Sequence, residues 1–238
     1  MTVERALPTP EARELLELVA EVARDTLAPR AAEAERAGAF PRDVFTTIGS
    51  MGLLGLPYAE KYGGAQLPYE VYLQVVEELS RAWLTVGLGA SVHTLSCFAL
   101  ARYGNDEQRE RWLPGMLGGE LLGAYCLSEP DSGSDAAALR TRATATADGF
   151  HLDGTKAWIT HAGEADFYTV MARTSDDGPR GISCFLVPAD AAGVEAAARE
   201  RKMGLKASPT AQLHLTDVRI DSNRLIGELG QGFPIALA

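Results

Sequence analysis

Cysteine, positive charge and long apolar runs are all scarce in this chain, and each shortage excludes something. The three cysteines, Cys97, Cys126 and Cys184, are odd in number, widely spaced and without a C-x-x-C, which argues against a disulfide framework and for reduced thiols in a reducing compartment. The four histidines, His93, His151, His161 and His214, show no ligand spacing, so no metal site is expected. Lysine and arginine number 22 against 32 acidic residues, a net charge of −10, and a nucleic-acid surface needs the opposite balance. The one basic stretch, Arg199, Arg201, Lys202 and Lys206, reads as a solvated turn. No apolar run is expected to span a membrane, and the N-terminus, with Glu4 and Pro8, lacks a signal-peptide core. A soluble cytoplasmic protein is the expectation. Also missing are G-x-G-x-x-G and any alternation of strand with helix, which disfavours a Rossmann fold. No internal repeat or low-complexity tract is present.

What is there begins as helices. Thr9-Pro10 offers a cap and a first-turn proline, and Leu15, Leu18, Val19, Val22 and Ala23 recur at helical spacing up to about Leu27, before Pro29. Pro41 opens a second helix with Val44, Phe45, Ile48 and Met51 inward and Gly52 at its end. Residues 55–68 read as an irregular connection. Two more helices are expected over 69–82 and 85–103, the second almost uncharged and therefore buried on most sides. Asn105 or Asp106 caps a short helix reaching Trp112. Trp83 and Trp112 read as core or boundary residues.

Near Leu121 the period changes. An apolar run through Leu122–Leu127 ends at Ser128, and Thr141–Ala147 alternates strictly. Asp148-Gly149 is a hairpin signal and Asp153-Gly154 a second turn signal. Strands are expected over 167–172, 182–187 and 213–220. The whole reads as α+β: a helical domain, then a small antiparallel β domain, with a boundary near Glu120.

Two segments carry chemistry. Ala124-Tyr125-Cys126-Leu127-Ser128-Glu129-Pro130-Asp131-Ser132-Gly133-Ser134-Asp135 runs from a strand into a hydroxyl, a carboxylate and a Gly-Ser turn. Gly154-Thr155-Lys156-Ala157-Trp158-Ile159-Thr160 ends a strand in a ring and another hydroxyl. A planar, polar-edged, phosphate-bearing ligand such as a flavin dinucleotide needs a ring for one face, short donors for its edge and small residues beside phosphate. Asp135 reads as the cap of the Ala136–Ala138 turn.

These segments resemble the acyl-CoA dehydrogenase family, as do Tyr103-Gly104-Asn105-Asp106-Glu107-Gln108, Lys202-Met203-Gly204-Leu205-Lys206-Ala207-Ser208, Val218-Arg219-Ile220 and Gly230-Gln231-Gly232-Phe233. The resemblance covers almost the whole chain in order. It implies an N-terminal helical domain over 1–120, a small antiparallel β-barrel-like middle domain over 121–232, and, at 233–238, the opening of a C-terminal helical domain that this chain does not carry. It implies FAD as cofactor, held by Tyr125, Cys126, Leu127 and Ser128, by Gly133 and Ser134, and by Trp158, Ile159 and Thr160. Ser134 would also meet the CoA moiety, and Glu129 would be structural. The family's catalytic glutamate would fall in the missing part, so no catalytic base is assigned. The long helix over 85–103 would floor the acyl pocket, with Gly87 and Ser91 setting its depth; small residues serving close helix contact are the competing reading. The lack of Lys or Arg between Thr85 and Ala101 disfavours a dicarboxylic substrate. The implied reaction converts an acyl-CoA to the trans-2-enoyl-CoA, with electrons passed to an electron-transfer flavoprotein, in a homotetramer without nucleic-acid or membrane partners. The alternatives are an acyl-CoA oxidase or related flavin oxidase or monooxygenase, or a catalytically inactive acyl-CoA-binding protein.

Overall fold

The computed structural model describes residues 7–238; Glu4, part of the N-terminal reading, lies outside them. Helix α1 (Pro10–Val22) starts as expected, with the Thr9 hydroxyl accepting from the Ala12 amide at 3.2 Å. It does not stop before Pro29. The chain widens into a π turn (Ala23–Leu27), where the Ala28 amide donates to the Ala23 carbonyl five residues back, and then continues as α2 (Ala28–Ala37). Proline breaks a helix by lacking an amide and crowding the carbonyl four residues back, and the π turn sits where both faults would fall.

Helix α3 (Arg42–Ser50) buries Val44, Phe45 and Ile48, but Met51 caps its end and is exposed. Helices α4 (Tyr69–Ala82) and α5 (Leu84–Tyr103) follow the sequence closely. Helix α5 corrects one expectation. It is 20 residues long and contains an 18-residue window of mean hydropathy 1.5, which does reach the length and apolarity of a membrane span. Most of that window, 61%, is buried inside the protein, so the core uses the apolarity. Asn105 and Gln108 form a capping box for α6 (Asp106–Leu117), which runs past Trp112 and through Pro114 because Leu113, Met116 and Leu117 bury on that face.

The remaining chain builds one open sheet from β1 (Gly123–Cys126), β2 (Arg142–Ala145), β3 (Gly149–Thr160), β4 (Phe167–Arg173), β5 (Ile182–Pro188), β6 (Val194–Ala196), β7 (Thr210–Asp221) and β8 (Leu225–Ile226). The order is β6-β7-β3-β2-β4-β5-β8, with β1 on β4. Most pairs are antiparallel, but β1–β4 is parallel over four residues, and the sheet does not close into a barrel. The Asp153-Gly154 turn signal is overturned: β3 runs straight through it. At that point the β3–β7 register shifts, and Gly154 takes a φ of 151° where a Cβ would stand 2.5 Å from the Thr141 hydroxyl. The short helix α7 (Gly232–Ala236) closes the fold.

Three apolar clusters hold these layers. One lies among α1 to α5, one within the sheet, and one joins α5 and α6 to β4 and β5 through residues such as Leu100, Met116, Phe167 and Leu186. Polar clamps supplement the last. Arg42 bonds the Asp166 carboxylate at 2.6 Å and the carbonyls of Glu120 and Glu164, while the same carboxylate accepts from the Leu122 amide at 2.6 Å. The β1 entry is also gripped by two buried histidines. His93 Nδ1 accepts from the Gly123 amide and its Nε2 faces the Met116 carbonyl; His161 Nδ1 faces the Gly123 carbonyl, each at 2.9 Å. Burial holds both rings neutral, with pKa pulled down to about 4.

Candidate flavin-binding site

The decisive geometry lies where β1 ends and β3 bulges. Between Lys156, paired with Leu213, and Ile159, paired with Ala211, the register slips, so that Ala157 and Trp158 both stand opposite Gln212. The extra residue forces Trp158 to a φ of 61°, a conformation rarely adopted by a bulky side chain. The indole is pushed outward and is 66% exposed, whereas Trp83 and Trp112 are buried as expected of core residues. An exposed indole on a strained bulge is a position shaped for contact, not for packing.

The end of β1 is stitched to that bulge. The Ala157 amide donates to the Ser128 carbonyl at 2.9 Å, and the Lys156 ammonium donates to the Leu127 carbonyl at 3.1 Å. Ser128 and Trp158 thus share one seam, with Thr160 two residues further along β3. Ser128 and Thr160 are half-buried. Cys126 and Ile159 are buried, so they can offer only backbone to a ligand; burial also pushes the Cys126 thiol up to about 12, which leaves it inert. Tyr125 and Leu127 are half-buried.

Beneath the seam lies an ion pair that the sequence reading left aside. Lys156 is fully buried and its ammonium meets Glu129 Oε1 at 2.8 Å. Burial lowers the Lys156 pKa, against the pull of the carboxylate. Burial also opposes ionisation of Glu129, but the Lys156 charge and the hydrogen bonds it accepts leave its carboxyl below the ordinary value. Its oxygens take the amides of Arg140 at 2.6 Å and Thr141 at 2.9 Å. One carboxylate therefore closes the loop 129–141 at both ends. The signal was present in the sequence, since a lysine inside a strand needs a partner.

Within that loop the tight turn is Glu129–Ser132, and Gly133 and Ser134 form an exposed bend after it. A Cβ built on Gly133 would meet nothing within 4 Å, so the bend faces open space. The Asp135 side chain does not cap the following 3-10 turn; its backbone carbonyl accepts instead, from the Ser132 hydroxyl at 2.7 Å and the Ala138 amide at 3.1 Å. An exposed ring and half-buried hydroxyls along one seam, with an open backbone bend in the adjoining loop, are the kinds of group that an isoalloxazine and its diphosphate need.

Gly87 and Ser91 part company. Gly87 faces α4, where a Cβ would lie 2.0 Å from the Ser80 hydroxyl, so it serves close helix contact and not pocket depth. Ser91 lines a groove of about 300 Å³ with Tyr58, Tyr69, Tyr72, Thr94 and Phe98. Of the basic stretch, Arg199, Arg201 and Lys206 are exposed on an irregular loop, as expected, but two of its cations also make bonds. Arg199 reaches Glu164 and the Gly38 carbonyl, and Lys202 bonds the Ser208 carbonyl and the Thr210 hydroxyl, so these cations tie a loop down.

Residues 9–120 match the acyl-CoA dehydrogenase N-terminal domain, and residues 124–218 match the acyl-CoA dehydrogenase middle domain. The chain belongs to the acyl-CoA dehydrogenase family. It is 38% identical to an acyl-CoA dehydrogenase of Bacillus subtilis over 223 residues, which is 93% of this chain and 59% of that protein. Among solved structures it resembles butyryl-CoA dehydrogenase from Megasphaera elsdenii, with a TM-score of 0.93 and 32% identity over 99% of this chain and 63% of that one. A glutaryl-CoA dehydrogenase from Mycobacterium smegmatis in complex with FADH2 superposes with a TM-score of 0.89 at 33% identity, over 96% of this chain and 58% of that one. The chain spans less than two thirds of these acyl-CoA dehydrogenases.

Proposed function

We propose that this chain is the flavin-gripping part of an FAD-dependent acyl-CoA dehydrogenase, one that converts a saturated acyl-CoA thioester to its trans-2-enoyl-CoA. The observation that carries this reading is the seam at which the Ala157 amide, next to the bulged, exposed Trp158, donates to the Ser128 carbonyl at 2.9 Å. When bound, FAD would accept the hydride from the β-carbon. The chain's own residues prepare that event. Trp158 covers one ring face and keeps water away. The Ser128 and Thr160 hydroxyls, with backbone amides from Tyr125 to Ser128 and around Ile159, donate to the ring edge where charge accumulates. Gly133 and Ser134 receive the diphosphate, and Ser134 the CoA moiety as well. Glu129 is no base, because Lys156 neutralises it from below. No other residue here is assigned that role.

The same reading divides the chain into domains at 120/121, with 233–238 opening a third. It places the protein in the cytoplasm, in fatty acid β-oxidation, as a homotetramer that passes electrons to an electron-transfer flavoprotein. The test is direct. Purified chain incubated with FAD and freed of unbound flavin by gel filtration should stay yellow, and its indole fluorescence should be quenched. Trp158→Ala should weaken FAD binding by about tenfold, the loss of a stacked ring, while shifting unfolding by no more than about 0.5 kcal/mol, since the indole is exposed. Ser128→Ala should alter affinity or flavin potential. A chain that retains no flavin after gel filtration from saturating FAD, and whose indole fluorescence FAD leaves unchanged, ends the flavin reading.

A further inference from the structure

Two bulky residues near the end of β3 take left-handed backbone conformations: Trp158, at a φ of 61°, and His161, at 68°. The bulge accounts for the first. The second stands where the chain leaves the sheet, its carbonyl accepting from the Glu164 and Ala165 amides. Glycine or asparagine takes such a position at least cost. The side chain explains why a histidine is there instead. It is fully buried, its ring centre 5.4 Å from that of Phe40 and 5.5 Å from that of Phe45. Gly89 of α5 leaves it room, since a Cβ there would stand 2.8 Å from His161 Nε2. A carbonyl can only accept, so Nδ1 carries the proton that bonds Gly123 at 2.9 Å. That leaves Nε2 without a hydrogen-bond partner among the described residues. A left-handed backbone and a bare buried nitrogen both cost stability, and such costs persist where the geometry they hold is used.

We propose that His161 is a positioning residue for the flavin: its ring anchors the end of β3 so that the adjacent Thr160 hydroxyl keeps its place at the flavin edge. This role rests on the FAD reading and deepens it. Thr160 is the last residue of β3 and pairs with Thr210. One step beyond, the His161 amide donates to the Pro209 carbonyl at 3.1 Å and its ring donates to Gly123 of β1. Phe45 of α3 and Gly89 of α5 close on the same ring. Two strands and two helices therefore converge on the residue next to Thr160. His93 supplies the comparison. It holds the same Gly123 from the amide side, with both ring nitrogens bonded, but it belongs to α5 and not to the segment that carries Trp158 and Thr160. Histidine spacing gave no warning of this role, because Gly123 lies 38 positions from His161.

The experiment is a double-variant cycle read as FAD affinity, from quenching of indole fluorescence, at a temperature where the variants compared are folded. Thr160→Val removes the hydroxyl and should weaken FAD binding about fivefold, the scale of one hydrogen bond. His161→Leu still fills the space between Phe40 and Phe45 but lacks the donor, and should lose about fivefold as well. The double variant should also lose about fivefold, because a misplaced hydroxyl and a missing one forfeit the same contact. His161→Asn puts an amide nitrogen where Nδ1 stands and tolerates the left-handed backbone, so it should bind FAD within about twofold of the native value. It decides the matter should His161→Leu fail to fold. His93→Leu should unfold more readily yet bind FAD within about twofold of the native value. The positioning role is overturned, with the FAD reading intact, by unchanged affinity in Thr160→Val or His161→Leu, or by a double-variant loss of about twenty-fivefold. A loss of about fivefold in His161→Asn or in His93→Leu overturns it too. If the native chain binds no FAD, the flavin reading itself fails and the positioning role falls with it.

Discussion

At the scale of single residues, the seam is governed by a charge that the protein buries on purpose. Lys156 has no exposed surface, and its cost of desolvation is offset only by Glu129 and the Leu127 carbonyl. Removing one partner of such a pair strands the other. Lys156→Met should therefore destabilise the chain by about 3–5 kcal/mol, and the double variant Lys156→Met with Glu129→Gln should recover part of that loss. Urea unfolding decides it. A single-variant loss below about 1 kcal/mol would mean that the pair contributes nothing beyond a surface bridge. Trp158 presents the converse case, a large apolar side chain, 66% exposed, whose burial contributes little to stability and which the proposed function assigns to the flavin.

Helices α4 and α5 pack through glycine. A Cβ on Gly87 would lie 2.0 Å from the Ser80 hydroxyl and 2.8 Å from its amide nitrogen, so α5 cannot keep its place with any larger residue there. Gly87→Ala should cost about 1–3 kcal/mol by forcing the helices apart. Adding Ser80→Ala should restore only part, because the amide contact remains. Unfolding midpoints of the three variants measure this, and full rescue by the second change would show that the backbones are not in contact. The bulge in β3 and the π turn before α2 belong to the same scale. Each is one irregular step within a regular element, and each relocates a side chain that the pattern alone would have placed elsewhere.

Across the whole molecule, the layers meet at Gly123, whose amide and carbonyl are held by His93 from α5 and His161 from the end of β3. Both rings are neutral in the fold, with pKa near 4 against about 6.5 when unfolded. The unfolded chain therefore takes up protons first as pH falls. Their contribution is intact above about pH 6.5 and is lost as pH drops toward 4, by about 2 kcal/mol per histidine between pH 7 and pH 5. Unfolding free energies and proton uptake across that window should show it. A flat profile from pH 6.5 to 4.5 would mean that the rings are already charged in the fold.

Much of this was legible in the order of residues. The switch from helical to alternating spacing near Leu121 and a helix cap at Asn105 or Asp106 follow from local chemistry, which acts over a few positions, and the two segments around Ser128 and Trp158 stood out as motifs. What the order could not fix was anything that depends on two distant segments touching. Proline did not end the first helix because the turn before it could widen, and Asp153-Gly154 did not turn because β7 lay alongside to accept a bulge. Of two small residues on α5, only Ser91 faced a groove, since Ser80 had already claimed the other. Pattern records which faces are apolar and which residues bend the chain. Contact decides which neighbour each face meets, and that depends on the packing of the entire fold.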